Sequence, residues 1–243
     1  DKGHGPWFLF QITMITRFFA NLLPGSFTSD AYRVYVLKNR SDDLSASFVS
    51  VVGDRLIGLL ILTGVGVLFV GRVASDGSSS IVFVTYAAFT AIFATVAIVL
   101  LASLFPAVGA VITKLTPSSG VARSILRSAR DILEDSSIVK RLLLYSLLYQ
   151  LLVVLVFFAA FRVFYDVQLG EMAVVAPLVS LFLVLPLSVN GVGQREAVMV
   201  VVASQFSIPA EVALASSIVI LVAQVVVSLL GGLFYAKKVV FGL

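Results

Sequence analysis

Leu185-Pro186-Leu187-Ser188-Val189-Asn190-Gly191-Val192-Gly193-Gln194-Arg195-Glu196 interrupts a long apolar run with a proline, three polar residues and two glycines, and then sets down a charged pair. The same skeleton stands near the other end of the chain, where Leu23-Pro24-Gly25 leads through Asp30 to Arg33. In both places the arginine follows the proline by nine residues. Proline and glycine break helices, and broken backbone at membrane depth is tolerated only where protein or a water-filled cavity covers it. Two matched breaks therefore predict two related helix-break-helix hairpins, a signature of transporters rather than of enzymes.

The surrounding composition supports a membrane setting. The 243 residues are 60% hydrophobic and 12% charged, with a mean hydropathy of +1.09, whereas soluble domains carry about 25% charged residues. Several apolar runs reach the roughly 20 residues needed to cross hydrocarbon. The expected class is all-α: one polytopic integral membrane domain over residues 1–243. Cysteine is absent, which excludes disulfides, thiolate metal sites and a cysteine nucleophile. The chain opens Asp1-Lys2-Gly3-His4-Gly5 with no initiator Met and no signal-peptide pattern, so one or two N-terminal membrane helices are expected to be missing.

Along the chain, residues 6–23 and 28–38 are too short for two full spans and predict a re-entrant hairpin broken at Pro24-Gly25. Residues 47–71 and 80–112 predict spanning helices joined by a Gly/Ser-rich turn at 75–80. Residues 114–141 predict an amphipathic surface linker, with Arg123, Arg127, Arg130 and Glu134 on one helical face and Ile125, Ala129, Ile132 and Leu133 on another. Residues 142–165 and 209–236 predict two more spans, about four in all. Between them, 173–187 and 196–207 flank the second break. The first repeat is thus about 6–112 and the second about 142–238.

Cytoplasmic flanks carry the excess of Lys and Arg. If each hairpin returns to the side it entered, Lys38, Arg40, Lys114, Arg123, Arg127, Arg130, Lys140, Arg141, Lys237 and Lys238 share one side, against Arg72 and Arg162 on the other. The linker and the C-terminus are then cytoplasmic, and the two hairpins are oppositely oriented, as an inverted repeat requires.

Charges inside apolar segments are costly and mark function by default. Arg17, Arg33, Arg55 and Arg195 are such charges, with Asp30, Asp54 and Glu196 beside them. Some of these pairs can simply lock helices together, and arginines can snorkel to headgroups. At Arg33 and Arg195 the adjacent breaks add unpaired N–H groups and a helix N-terminus to an arginine fork, which together suit a phosphate. An anion met at membrane depth is most simply a lipid headgroup.

At these residues the chain resembles the lysylphosphatidylglycerol synthase transmembrane, or flippase-like, family. The resemblance rests on Leu23-Pro24-Gly25 with Asp30 and Arg33, on Ser50-Val51-Val52-Gly53-Asp54-Arg55-Leu56-Ile57-Gly58, and on Leu185-Pro186 with Asn190-Gly191-Val192-Gly193-Gln194-Arg195-Glu196-Ala197. It implies a module of a prokaryotic cell (inner) membrane with two re-entrant elements that moves lipid headgroups between leaflets. In large members such a module is joined to a soluble domain that aminoacylates phosphatidylglycerol, and these 243 residues hold no such domain. Asp30 stands where the family often has a Gly-Glu pair, and Ser188-Val189-Asn190 replaces a more glycine-rich approach, so headgroup selectivity is expected to differ.

Other chemistry finds little support. There is no P-loop pattern, Gly191-Val192-Gly193 follows an apolar segment rather than a strand, and His4 is the sole histidine. No cofactor or metal is expected, nucleic acid is not an expected partner, and Asp42-Asp43 reads as a solvated turn. The leading expectation is a flippase or scramblase for an anionic phospholipid or polyprenyl-phosphate-type lipid, not an enzyme. Arg33, Arg195, Arg17 and Arg55 are its candidate phosphate ligands, and Asp30, Asp54 and Glu196 its supporting or proton-coupling groups. Pro24, Gly25, Pro186, Asn190, Gly191 and Gly193 form its breaks. The alternative is a non-transporting scaffold or regulatory subunit of a lipid-modifying enzyme. Expected partners are membrane phospholipids or lipid-linked phosphates, with a second copy or a lipid-synthesising enzyme as protein partner.

Overall fold

Two of the long apolar runs begin at an aspartate, and each aspartate is a helix cap. Asp43 Oδ1 accepts from the N–H groups of Ser45 at 2.8 Å and Ala46 at 3.0 Å. Asp135 Oδ1 accepts from the N–H groups of Ser137 at 2.9 Å and Ile138 at 3.3 Å, and from the Ser137 hydroxyl at 2.7 Å. Each satisfies donors that the first helical turn leaves without an intrahelical partner. The Ser137 hydroxyl and the two backbone N–H groups hold the Asp135 carboxyl below the usual carboxylate range.

The computed structural model describes residues 5–22, 26–41, 43–73, 84, 87–88, 90–91, 135–185, 188 and 191–241. Among these residues there is no strand, and seven helices follow in order: α1 Pro6–Leu22, α2 Ser26–Ser41, α3 Leu44–Val73, α4 Ser136–Arg162, α5 Leu169–Phe182, α6 Gln194–Ser204 and α7 Ala210–Phe241. Stretches of three of them, Leu44–Phe69, Ser136–Arg162 and Ala210–Ala236, are long and apolar enough to cross a membrane. A third or less of each is buried inside the protein (33%, 22% and 28%), so most of their apolar surface needs lipid around it. The expected span at 80–112, the turn at 75–80 and residues 114–134 of the linker fall largely outside the described residues.

One boundary differs from expectation. The linker was expected to reach residue 141, but α4 begins at Ser136 and places Lys140 and Arg141 in its first turns. The Asp135 cap is the reason: it starts the helix, and the apolar run from Leu142 continues it without interruption. Glu171 sits in the first turn of α5, where Glu171 Oε2 accepts from the Gln168 N–H at 2.8 Å.

The chain forms two compact units, residues 1–36 with 154–243, and residues 37–153. In the first unit α5 is the core. Met172 to Val179 are all buried, as befits a helix apolar on every side. At 14 residues for α5 and 11 for α6, neither approaches the length of a span. α6 packs on α5 and α7, and α1 packs on α7. A Cβ at Gly231 would strike the Met14 carbonyl oxygen, and one at Gly232 would lie 2.8 Å from the Phe18 ring. Small residues are what let helices approach this closely in a membrane. Aromatic contacts flank the crossing, with Phe10 to Phe234 at 6.0 Å and Phe19 to Tyr235 at 5.1 Å between ring centres.

In the second unit the buried Gln150 of α4 donates from Nε2 to the Gly58 carbonyl of α3 at 3.1 Å. Such a polar tie is a recurring way to join spans where lipid offers no hydrophobic drive between helices.

Candidate functional site

The site is built at the second break. Beyond α5 the backbone makes tight turns, with Leu183 N–H to Val179 O at 3.0 Å and Leu185 N–H to Phe182 O at 3.0 Å. It then reaches Gly191 and Gly193 at φ +74° and +80°. These are conformations that a Cβ disfavours. At Gly191 a Cβ would also collide with the Leu183 side chain and lie 3.6 Å from Arg195 Nη2. Bare backbone at this position is therefore what lets the Leu183 side chain pack against the break beside the guanidinium.

Gln194, the first residue of α6, fastens the break. Its Nε2 donates to the carbonyls of Phe182 and, at 3.3 Å, Leu185, while Ser188 Oγ–H donates to its Oε1 at 3.2 Å. The end of α5 and the start of α6 are thus held by one carboxamide. Arg195 is only 3% exposed, and its Nη2 donates to Gln224 Oε1 on α7 at 2.8 Å. Glu196 faces two donors: Oε2 accepts from the Gly193 N–H at 2.6 Å and Oε1 from the Ser217 hydroxyl of α7 at 2.6 Å. The first contact caps α6, with the carboxylate at its favourable, positive end. The second ties α6 to α7.

The structure therefore brings Gly191, Gly193, Arg195 and Glu196 together. Pro24, Gly25, Pro186 and Asn190 lie outside the described residues. Asp30 and Arg33 are half-buried on α2, three residues and so about one turn apart. Arg17 is on an exposed face of α1, and Asp54 and Arg55 are half-buried on α3 in the second unit. Each of these five residues is engaged in an interaction. Sequence reasoning assigned no role to Gln194, Ser217 or Gln224. The signal for the last two was available: they are polar residues seven apart inside the apolar run 209–236, and so share a helix face.

Chemically, a buried guanidinium offers a planar fork of N–H donors that matches a phosphate or carboxylate. Here it stands at the first turn of a helix, whose N–H groups and dipole also favour an anion. Among the described residues no three His, Asp or Glu side chains group as a metal site would require. The family model described as Lysylphosphatidylglycerol synthase TM region matches residues 2–232. No curated protein and no solved structure matches the chain.

Proposed function

Because the chain belongs to the lysylphosphatidylglycerol synthase TM region family, we propose that it is a transporter that moves an anionic phospholipid, or a polyprenyl-phosphate-type lipid, between leaflets. The observation that carries this reading is Arg195, a cation 3% exposed beside a glycine break in an apolar protein. A buried charge of this kind is retained where it meets a ligand or pathway. In the proposed mechanism α1 with α2, and α5 with α6, enter the membrane from opposite sides as re-entrant hairpins. The phosphate pairs with Arg195 or Arg33 while the acyl chains stay in the bilayer. Glu196 keeps α6 and its arginine in place, and Asp30 serves Arg33 in the same way. The protein sits in a prokaryotic cell membrane with residues 114–134 and the C-terminus in the cytoplasm.

The test is transport in proteoliposomes containing fluorescent phosphatidylglycerol, followed by quenching of the outer leaflet. Arg195→Ala and Arg33→Ala are expected to reduce lipid movement to the protein-free rate while the purified variants keep a cooperative thermal transition. Arg→Lys at either position restores part of the rate, because the ammonium keeps the charge and loses the fork. Normal transport by both alanine variants, coupled to a lowered Tm, assigns the arginines to structure and overturns the proposal.

A further inference from the structure

We infer that Gln224 is a latch on the Arg195 site: its neutral carboxamide holds the guanidinium until a phosphodiester anion displaces it. The inference rests on the reading of Arg195 as a phosphate ligand. Two of the hydrogen bonds that join α6 to α7 differ in kind. Glu196 to Ser217 pairs a carboxylate with a hydroxyl at 2.6 Å, and the other oxygen of that carboxylate already accepts from the Gly193 N–H. Arg195 to Gln224 pairs a cation with an uncharged oxygen at 2.8 Å. A phosphate oxygen carries the charge that the carboxamide lacks, and it can accept from the guanidinium fork at two points. Exchange is therefore favoured at the second link, while the first keeps the helices joined.

Location supports the same assignment. Arg195 is buried, but Gln224 lies on an exposed stretch of α7, Val222 to Val227, within a candidate span. The pair thus connects an interior cation to a surface that lipid reaches. The guanidinium is also bordered by Gly191, whose own side-chain position is closed off by Leu183.

The experiment uses the full chain with two substitutions that change the latch in opposite directions. Gln224→Glu replaces the neutral acceptor with an anion, and is expected to slow phosphatidylglycerol movement in proteoliposomes at least tenfold with an unchanged or higher Tm. Gln224→Met keeps the length and removes the acceptor. It is expected to bind short-chain phosphatidylglycerol several-fold more tightly than the wild type, read as a larger ligand-induced rise in Tm in detergent. Stabilisation by inorganic phosphate alone, equal to that by the lipid, supports the latch with a free anion as its ligand. If both variants transport and bind as wild type while Arg195→Ala loses both, the latch is overturned and the arginine site stands. If Arg195→Ala retains both, the arginine site is overturned and the latch falls with it. Should Gln224→Glu not fold, the binding comparison decides: unchanged or weaker binding by Gln224→Met overturns the latch.

Discussion

Gly191 and Gly193 have nearly the same positive φ, yet their surroundings differ, and that difference is measurable. Gly193 has nothing within 4 Å of where a Cβ would stand, whereas Gly191 has the Leu183 side chain and the Arg195 guanidinium. Gly193→Ala carries the backbone cost alone, about 1–3 kcal/mol for a residue held in a sparsely populated region. Gly191→Ala adds a collision and should cost more, so thermal unfolding in detergent is expected to rank Gly191→Ala below Gly193→Ala below wild type. An equal loss at both positions would show that the Leu183 contact yields without cost. Arg195, Glu196 and the two glycines were legible in the sequence because charge and broken backbone in an apolar run stand out locally. Gln224 stood out only as a polar residue in an apolar run, since what gives it meaning is an arginine 29 residues earlier, and only the packing of α6 on α7 brings the two together. Gln194 stood inside the recognised motif, but its role as a fastener depends on carbonyls at the end of α5.

For the elements, the all-helical class was readable from hydropathy, and three of the expected spans fall on helices long and apolar enough to cross a membrane, while one boundary was not readable. Lys140 and Arg141 were grouped with the amphipathic linker, yet Asp135 starts α4 ahead of them and places both in its first turns. This has a pH consequence. The folded-state carboxyl of Asp135 titrates below its unfolded value, so its contribution is present above the ordinary carboxylate range and is lost as pH falls through the lowered value. Asp135→Ala is expected to lower Tm at pH 7. The difference from wild type should shrink as the pH is brought down through the acidic range. Asp135→Asn retains a cap acceptor and should lie closer to wild type at neutral pH. A wild-type to alanine difference that stays constant down to pH 3 would remove the carboxylate from the account.

Across the whole molecule, the sequence supplied a side for each connection through its Lys and Arg, and that proposal is open to a direct check. The chain contains no cysteine, so single cysteines placed at Arg123, Arg127 or Arg130 report without background. With the linker in the cytoplasm, a membrane-impermeant thiol reagent added to intact cells is expected to leave them unlabelled and to label them after lysis. Prompt labelling of intact cells would reverse the topology and exchange the entry sides of the two hairpins. What the linear sequence did not disclose is that residues 1–36 fold with 154–243 rather than with the segment that follows them. Hydropathy reports which stretches enter a bilayer and is silent on which of them become neighbours.

The crossing of α1 over Gly231 and Gly232 joins positions more than two hundred residues apart. A chain made from its N-terminus therefore inserts α1 long before the helix it rests on has left the ribosome. Until then the Met14 and Phe18 side of α1 lacks the α7 backbone it comes to rest on. The first unit can close only after α7 has been translated, and the glycine pair of α7 acts as the keyhole that permits that closure. A premature stop upstream of α7 would thus leave an inserted but unassembled helix, the kind of orphan that membrane quality-control proteases remove.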